Sequence, residues 1–234
     1  MTRAVFFDWF GTLARYDPPR EELEAQVLAD LGFTVPVETL AHALAMADRD
    51  MYARLAAAPG RDQTDEERAR MAIRHQENVL TRAGISVYPG LAEKTIGRLR
   101  QLNAGRRFAL YDDALPALDM VKERGLITGL LTNLERDMDR LLQELGLAGR
   151  LDFVLSSRSA GVGKPHPAFF NLALQRAGVA PAEALMVGDQ YEMDVLGARR
   201  AGIRVILLDR PGVFPEVTDC PRIRRLDELA GYLT

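Results

Sequence analysis

The chain opens with an apolar run, Ala4-Val5-Phe6-Phe7, that stops at Asp8 and passes into Trp9-Phe10-Gly11-Thr12-Leu13. A short unbroken apolar segment, closed by a carboxylate and a glycine-bearing turn, predicts a buried strand ending in a loop. After Leu13 the period changes. Pro18-Pro19 precede Arg20-Glu21-Glu22, and Leu23, Val27, Leu28 and Leu31 follow at helical spacing until Gly32. The same spacing predicts a second helix from Val37 to Ala58, broken at Pro59-Gly60. A third, from Thr64 to Ala83, opens on Thr64-Asp65-Glu66-Glu67, a capping-box sequence, and a fourth runs from about Leu91 to Leu102 and ends at Asn103-Ala104-Gly105. Residues 14 to 105 therefore read as an all-helical insert without a strand.

From Phe108 the pattern alternates. Leu126 to Thr132, Phe153 to Leu155, Ala184 to Gly188 and Val205 to Leu208 read as buried strands. Helices are expected at 115–124, 134–145, 167–178, 193–201 and near Leu226 to Leu233. Strands alternating with helices predict an α/β fold, a Rossmann-like, mostly parallel sheet with helices on both faces. Its core is expected from residues 1–13 and 106–234, with 14–105 as a separate helical unit.

Composition narrows the setting. A chain of 234 residues accommodates one α/β domain and a smaller second unit. The net charge of −3 comes with no basic tail, which argues against a nucleic-acid partner. Lysine occurs only as Lys94, Lys122 and Lys164 among 30 basic residues, so each lysine draws attention. A lone Cys220 excludes an internal disulfide and fits a reducing compartment. With no basic-then-apolar leader and no apolar run of about 18 residues, a cytoplasmic protein without a membrane partner is expected. A small-molecule substrate and a monomer or homodimer complete that expectation.

Three of the expected strands end in reactive groups: Asp8, Thr132-Asn133, and Gly188-Asp189 with Asp194 five residues on. Lys164 lies in Gly161-Val162-Gly163-Lys164-Pro165-His166-Pro167, between the third strand, Phe153 to Leu155, and its helix. Each group alone has a structural reading: a strand-end Asp or Thr-Asn as a helix cap, Lys164 and Asp194 as solvated charges. A parallel sheet would bring all four loops to one edge, where ligands bind. Two carboxylates suit Mg²⁺, an aspartate serves as a nucleophile toward phosphorus, Thr132 and Asn133 can donate to phosphate oxygens, and Lys164 supplies positive charge.

Asp8-Trp9-Phe10-Gly11-Thr12, Leu131-Thr132-Asn133, Gly163-Lys164-Pro165 and Gly188-Asp189 with Asp194 resemble, in order, the four motifs of the haloacid dehalogenase-like (HAD) hydrolase superfamily. The resemblance spans residues 4 to 208 and makes the insert 14–105 similar to that family's helical cap. It implies Asp8 as nucleophile, Lys164 as a stabilising catalytic residue, and Thr132 and Asn133 as substrate-binding residues. It also implies Mg²⁺ held by Asp8, Asp189 and the Phe10 backbone carbonyl, with Asp194 in support. The family's phosphatases usually carry a second aspartate, the general acid/base, where this chain has Phe10. Such acid–base help is worth about 10²–10⁴-fold. The implied activity is a Mg²⁺-dependent phosphatase acting on a small phosphorylated metabolite through an aspartyl-phosphate. Two alternatives stay open: a 2-haloacid dehalogenase-type hydrolase, whose second position is also aromatic, and a catalytically weakened metabolite-binding protein. Arg15, Tyr16 and Arg20 follow the first motif as candidate anion contacts, with structural roles the simpler reading. His42, His75 and His166 lack metal-ligand spacing.

Overall fold

The computed structural model describes residues 1–57, 64–103, 105–134 and 138–233, with the side chain of Asp139 set aside. The chain divides into two units, Met1–Arg15 with Ala109–Thr234, and Tyr16–Phe108.

The first unit is built on a six-stranded sheet. Its strands are β1 (Ala4–Phe7), β4 (Ile127–Thr132), β5 (Phe153–Ser156), β6 (Ala184–Gly188), β7 (Arg204–Leu208) and β8 (Arg222–Ile223), in the spatial order β5-β4-β1-β6-β7-β8. Every neighbouring pair is parallel, with Phe7 beside Leu130 on one flank and Val187 on the other. All residues of β1 and β6 are buried, as strands covered on both faces must be. Phe6 and Phe7 are fully enclosed, each burial contributing about 1.5–3 kcal/mol. At Gly129, in the middle of β4, an added Cβ would run into the ring of Phe153, which instead packs edge-on against Phe6 at 5.8 Å. Helices α5 (Ala114–Glu123), α6 (Met138–Glu144), α7 (Ser157–Ala160), α8 (Pro167–Ala177) and α9 (Leu196–Arg200) accompany the strands.

From β1 the chain builds outward through β4 to β5. It then returns to β6 on the other side of β1 and builds outward through β7 to β8. The switch point therefore lies between β1 and β6. In an open α/β sheet the crevice at that point, beyond the strands' carboxyl ends, is where ligands bind.

The second unit packs α1 (Arg20–Asp30), α2 (Val37–Ala56), α3 (Asp65–Arg82) and α4 (Leu91–Leu102) as a bundle in which α1 meets α2 and α4, and α3 meets α2 and α4. Leu28, Leu40, Leu80 and Leu91 fill its centre. The capping box forms as the sequence indicates: Thr64 Oγ1 accepts from Glu67 N, and Glu67 Oε2 accepts from Thr64 N at 3.0 Å.

Three sequence expectations need correction. Ala14–Asp17, expected inside an all-helical stretch, is a strand (β2) that pairs with β3 (Arg107–Leu110) in a separate two-stranded sheet. Ala-Arg-Tyr-Asp carries no period, and its partner arrives some 90 residues later, so local pattern could not reveal it. The helix expected at 193–201 is a π-helical turn, Tyr191–Val195, running into the shorter α9. The closing segment Leu226–Tyr232 is a 3₁₀ helix. Ala58, the break at Pro59-Gly60, Ala104 and residues 135–137 of the helix expected at 134–145 lie outside the described residues.

Candidate active site

Asp8 follows the last residue of β1 and Asp189 follows the last of β6. The Asp8 N–H donates to the carbonyl of Val187 at 3.0 Å, which continues the β1–β6 pairing to the point where the side chains emerge. Both carboxylates thus stand at the switch point. Asp194 joins them from the π-helical turn after Asp189, and one oxygen of each of the three acids lies within 4.8 Å of the others. π-Helical turns are rare and concentrate at functional sites. The turn is anchored at its start, where the Gln190 N–H donates to Asp194 Oδ2 at 3.0 Å and the Asp194 N–H donates to the Gln190 carbonyl at 2.8 Å, and it closes on the five-residue bond from the Leu196 N–H to the Tyr191 carbonyl.

Two glycines make room for this approach. At Gly11, where φ is +88°, a Cβ would collide with the Asp189 carboxylate, and at Gly188 one would collide with Asp194. Any side chain at either position would displace an acid.

Lys164 enters from the segment between β5 and α8. Its Nζ donates to Asp8 Oδ1 and to Asp194 Oδ1, the latter at 2.6 Å. The lysine is 7% exposed, Asp8 8% and Asp194 fully enclosed. What aims the lysine is Asn133. The Lys164 N–H donates to Asn133 Oδ1 and the Asn133 amide donates to the Lys164 carbonyl, both at 2.9 Å. The Asn133 amide is thus engaged with the lysine's backbone. Thr132 Oγ1, buried at the end of β4, accepts from the Leu134 N–H at 3.1 Å and keeps its own proton available for donation. Phe10 sits in the turn after Asp8, bridged to Ala14.

The electrostatics follow from this crowding. Burial raises the Asp8 carboxyl to about 6; Lys164 works against the rise and Asp194 adds to it. Asp189 is pushed well above the carboxylate range by burial, then by the charges of Asp8 and Asp194. Burial disfavours charge on Lys164, but Asp194 and Asp8 outweigh it and raise its pKa. Negative charge exceeds positive in this cluster, so the three acids can hold a hard metal cation.

Three supporting residues escape sequence reasoning. The Gln190 amide donates to Asp189 Oδ2 at 2.6 Å. The Arg210 guanidinium donates to the Thr12 carbonyl at 2.9 Å and grips Asp113 through two bonds of 2.7 and 2.9 Å, tying down the turn after Asp8. Gln190 was detectable only as a neighbour of Asp189; nothing local marks Arg210 or Asp113. Arg20 and Tyr16, candidates for an anion, have partners elsewhere. Arg20 pairs with Asp48, and Tyr16 stacks on Phe108 at 4.8 Å. His75 contacts Asp48 at 2.8 Å and His166 caps α8. No described helix is long and apolar enough to cross a membrane.

Comparison with known proteins gives a consistent result. A model of the haloacid dehalogenase-like hydrolases matches residues 2–202. A phosphoserine phosphatase of Thermus thermophilus is 44% identical over 125 residues, 53% of this chain and 50% of that protein, so the match spans half the relative's length. A ribulose-1,5-bisphosphate 5-phosphatase of Halopiger xanaduensis is 27% identical over 217 residues, covering 89% of this chain and 85% of that one. Among solved structures, a 2-haloacid dehalogenase of Pseudomonas syringae pv. Tomato is 26% identical with a TM-score of 0.57, covering 100% of this chain and 98% of that one. With the family model matched over most of its length and the four motif loops at one edge of a parallel sheet, this chain belongs to the family of haloacid dehalogenase-like hydrolases.

Proposed function

We propose that the chain is a Mg²⁺-dependent phosphatase that cleaves a small phosphorylated metabolite through an aspartyl-phosphate on Asp8. The observation that carries this reading is the convergence of Asp8, Asp189 and Asp194 around Lys164 at the switch point of the sheet. Relatives named as phosphatases of phosphoserine and of a sugar bisphosphate support it.

With a pKa of about 6, Asp8 is mostly ionised at neutral pH. One of its oxygens attacks phosphorus, the bond from phosphorus to the leaving oxygen breaks, and the phosphoryl group rests on Asp8. Water then attacks phosphorus, frees inorganic phosphate and restores the carboxylate. Lys164 holds Asp8 in place, and its charge favours the anionic substrate and the negative charge of the transition state. Thr132 donates its hydroxyl proton to a phosphate oxygen, and Asn133 acts through its hold on Lys164 and its remaining N–H. Mg²⁺ held by Asp8, Asp189 and the Phe10 carbonyl, with Asp194 supporting, would supply positive charge against the phosphate oxygens. Phe10 offers no proton to the leaving group, so aryl phosphates, whose leaving groups depart as stable anions, are the better substrates.

Phe10 itself favours a second reading, displacement of halide from a 2-haloacid, because halide needs no proton. Three crowded acids oppose it, since their charge would repel a carboxylate substrate and a metal-free displacement has no use for Asp189. Hydrolysis of p-nitrophenyl phosphate that requires Mg²⁺ and stops in EDTA is the expected result. Chloride release from 2-chloropropionate in EDTA, with no phosphatase activity, would establish the second reading instead.

A further inference from the structure

The helical unit contains a cavity of about 520 Å³ between the second half of α2 and the stretch of α3 from Glu67 to Asn78. Ligand pockets for small organic molecules typically enclose about 300–1,000 Å³. Its existence has a plain cause. Ala43, Leu44, Ala47 and Val79 hold α2 and α3 together at one end, and beyond them the helices are lined by longer side chains. Ala47, Met51 and Leu55 present one apolar stripe at a spacing of four, and Met71 faces them from α3. Methionine adapts its shape to what it packs against.

Three arginines also line the cavity: Arg54, Arg70 and Arg74. The other polar groups there are already engaged. Asp50 accepts from Asn78 and Arg82 at 2.8 Å, Glu67 closes the capping box of α3, and His75 contacts Asp48. Among the described residues Arg70 pairs with Glu66 alone, at 3.6 Å and with both side chains mostly exposed, a pairing worth little. Among the described residues, Arg54 and Arg74 have no hydrogen-bond or ion-pair partner. Asp50 is thus paired with a cation and the Glu67 carboxylate is turned to the start of α3, whereas Arg54 and Arg74 meet no anion among the described residues.

We propose that this cavity binds a small organic anion with an apolar body: the ring or chain lies along Ala47, Met51, Leu55 and Met71, and the anionic group meets Arg54 and Arg74. Arginine suits carboxylate, sulfonate and phosphate because its planar fork presents paired donors.

Calorimetric titration of the full chain with naphthalene-2-sulfonate tests it, because this aryl anion cannot be hydrolysed as a phosphate ester. Saturable one-to-one binding is expected, weakened by added salt and absent with uncharged 2-naphthol. Arg54→Gln combined with Arg74→Gln should weaken binding at least about tenfold, a modest demand for two charge-assisted contacts. Met51→Trp should abolish it by filling the cavity. Both variants are checked by far-UV circular dichroism, and the exposed arginine pair decides the matter if Met51→Trp does not fold. No saturable binding to the wild type, or an unchanged affinity in the folded arginine variant, would overturn the proposal.

Discussion

At the scale of single residues, the site is a problem of like charge managed by one lysine and two glycines. Asp8→Asn keeps the shape of the side chain and one acceptor oxygen for Lys164 but removes the proposed nucleophile. The expected loss in kcat is at least about 10³-fold, with native circular dichroism; near-normal turnover would remove the mechanism. Phe10→Asp asks the opposite question. An added acid/base should raise kcat for alkyl phosphates toward the lower end of the usual range, about 10²-fold, because alkoxides need protonation most. Aryl phosphates should gain only if hydrolysis of the aspartyl-phosphate limits turnover. A further carboxylate beside Asp8 and Asp189 adds repulsion, so both enzymes are compared at saturating Mg²⁺. No gain for either substrate in a folded, metal-bound variant would mean that Phe10 does not replace a missing acid.

At the scale of elements, the loop carrying Lys164 has no regular structure of its own and is registered by Asn133 at the end of β4. Asn133→Ala removes two hydrogen bonds worth about 0.5–1.5 kcal/mol each. The expected outcome is a kcat loss of at least about tenfold, larger than the fall in Tm accounts for, because the lysine loses its aim. Asn133→Asp, which keeps the acceptor for the Lys164 N–H, should recover part of it. An activity loss no greater than the loss of folded protein would reduce Asn133 to a structural role. In the helical bundle, Glu24 is buried on α1 against Gln76 of α3. Burial raises its carboxyl pKa, while Gln76, Arg20 and His75 work against the rise. Because the folded value exceeds the unfolded one, this carboxyl's stabilisation is present at low pH and is lost as pH rises through the folded value. Glu24→Gln stays neutral throughout, so its Tm relative to wild type should climb between pH 4 and pH 8. A difference that does not change with pH would contradict the assignment. Asp48 behaves oppositely: burial would raise its pKa, but Arg20 and His75 hold it down at about 2, and its contribution survives to low pH.

At the scale of the whole molecule, a metal that binds only the folded chain stabilises it by mass action, about 2.7 kcal/mol at one hundred times its dissociation constant. Mg²⁺ should therefore raise Tm at pH 7.5, and Asp189→Asn should shrink that rise. Full activity in EDTA, together with no Tm response to Mg²⁺, would contradict the metal assignment. How much of this was legible in the sequence depends on the range of the interactions involved. The apolar runs of β1, β4 and β6 and the helical spacing of α1 to α4 are local patterns, so the chain announces its strands, its helical stretch and the four motif loops unaided. Asp8 was legible because it recurs with Thr132-Asn133, Lys164 and Asp189 at the ends of expected strands; alone, a carboxylate closing an apolar run reads equally well as a helix cap. Other features required residues distant in sequence to meet. The β2–β3 pair is one. The two arms of Arg210 on Thr12 and Asp113 are another, and so is the hold of Asn133 on Lys164. The charge balance of the site belongs here too, because a carboxylate's pKa depends on burial and on neighbours 156 to 186 residues away, here Lys164 and Asp194 around Asp8. Sequence pattern determined which side chains stand at the sheet's edge, since the period along a strand or helix is a local property. Only tertiary structure decided which of them touch and which remain charged, because those outcomes depend on distances that no local pattern encodes.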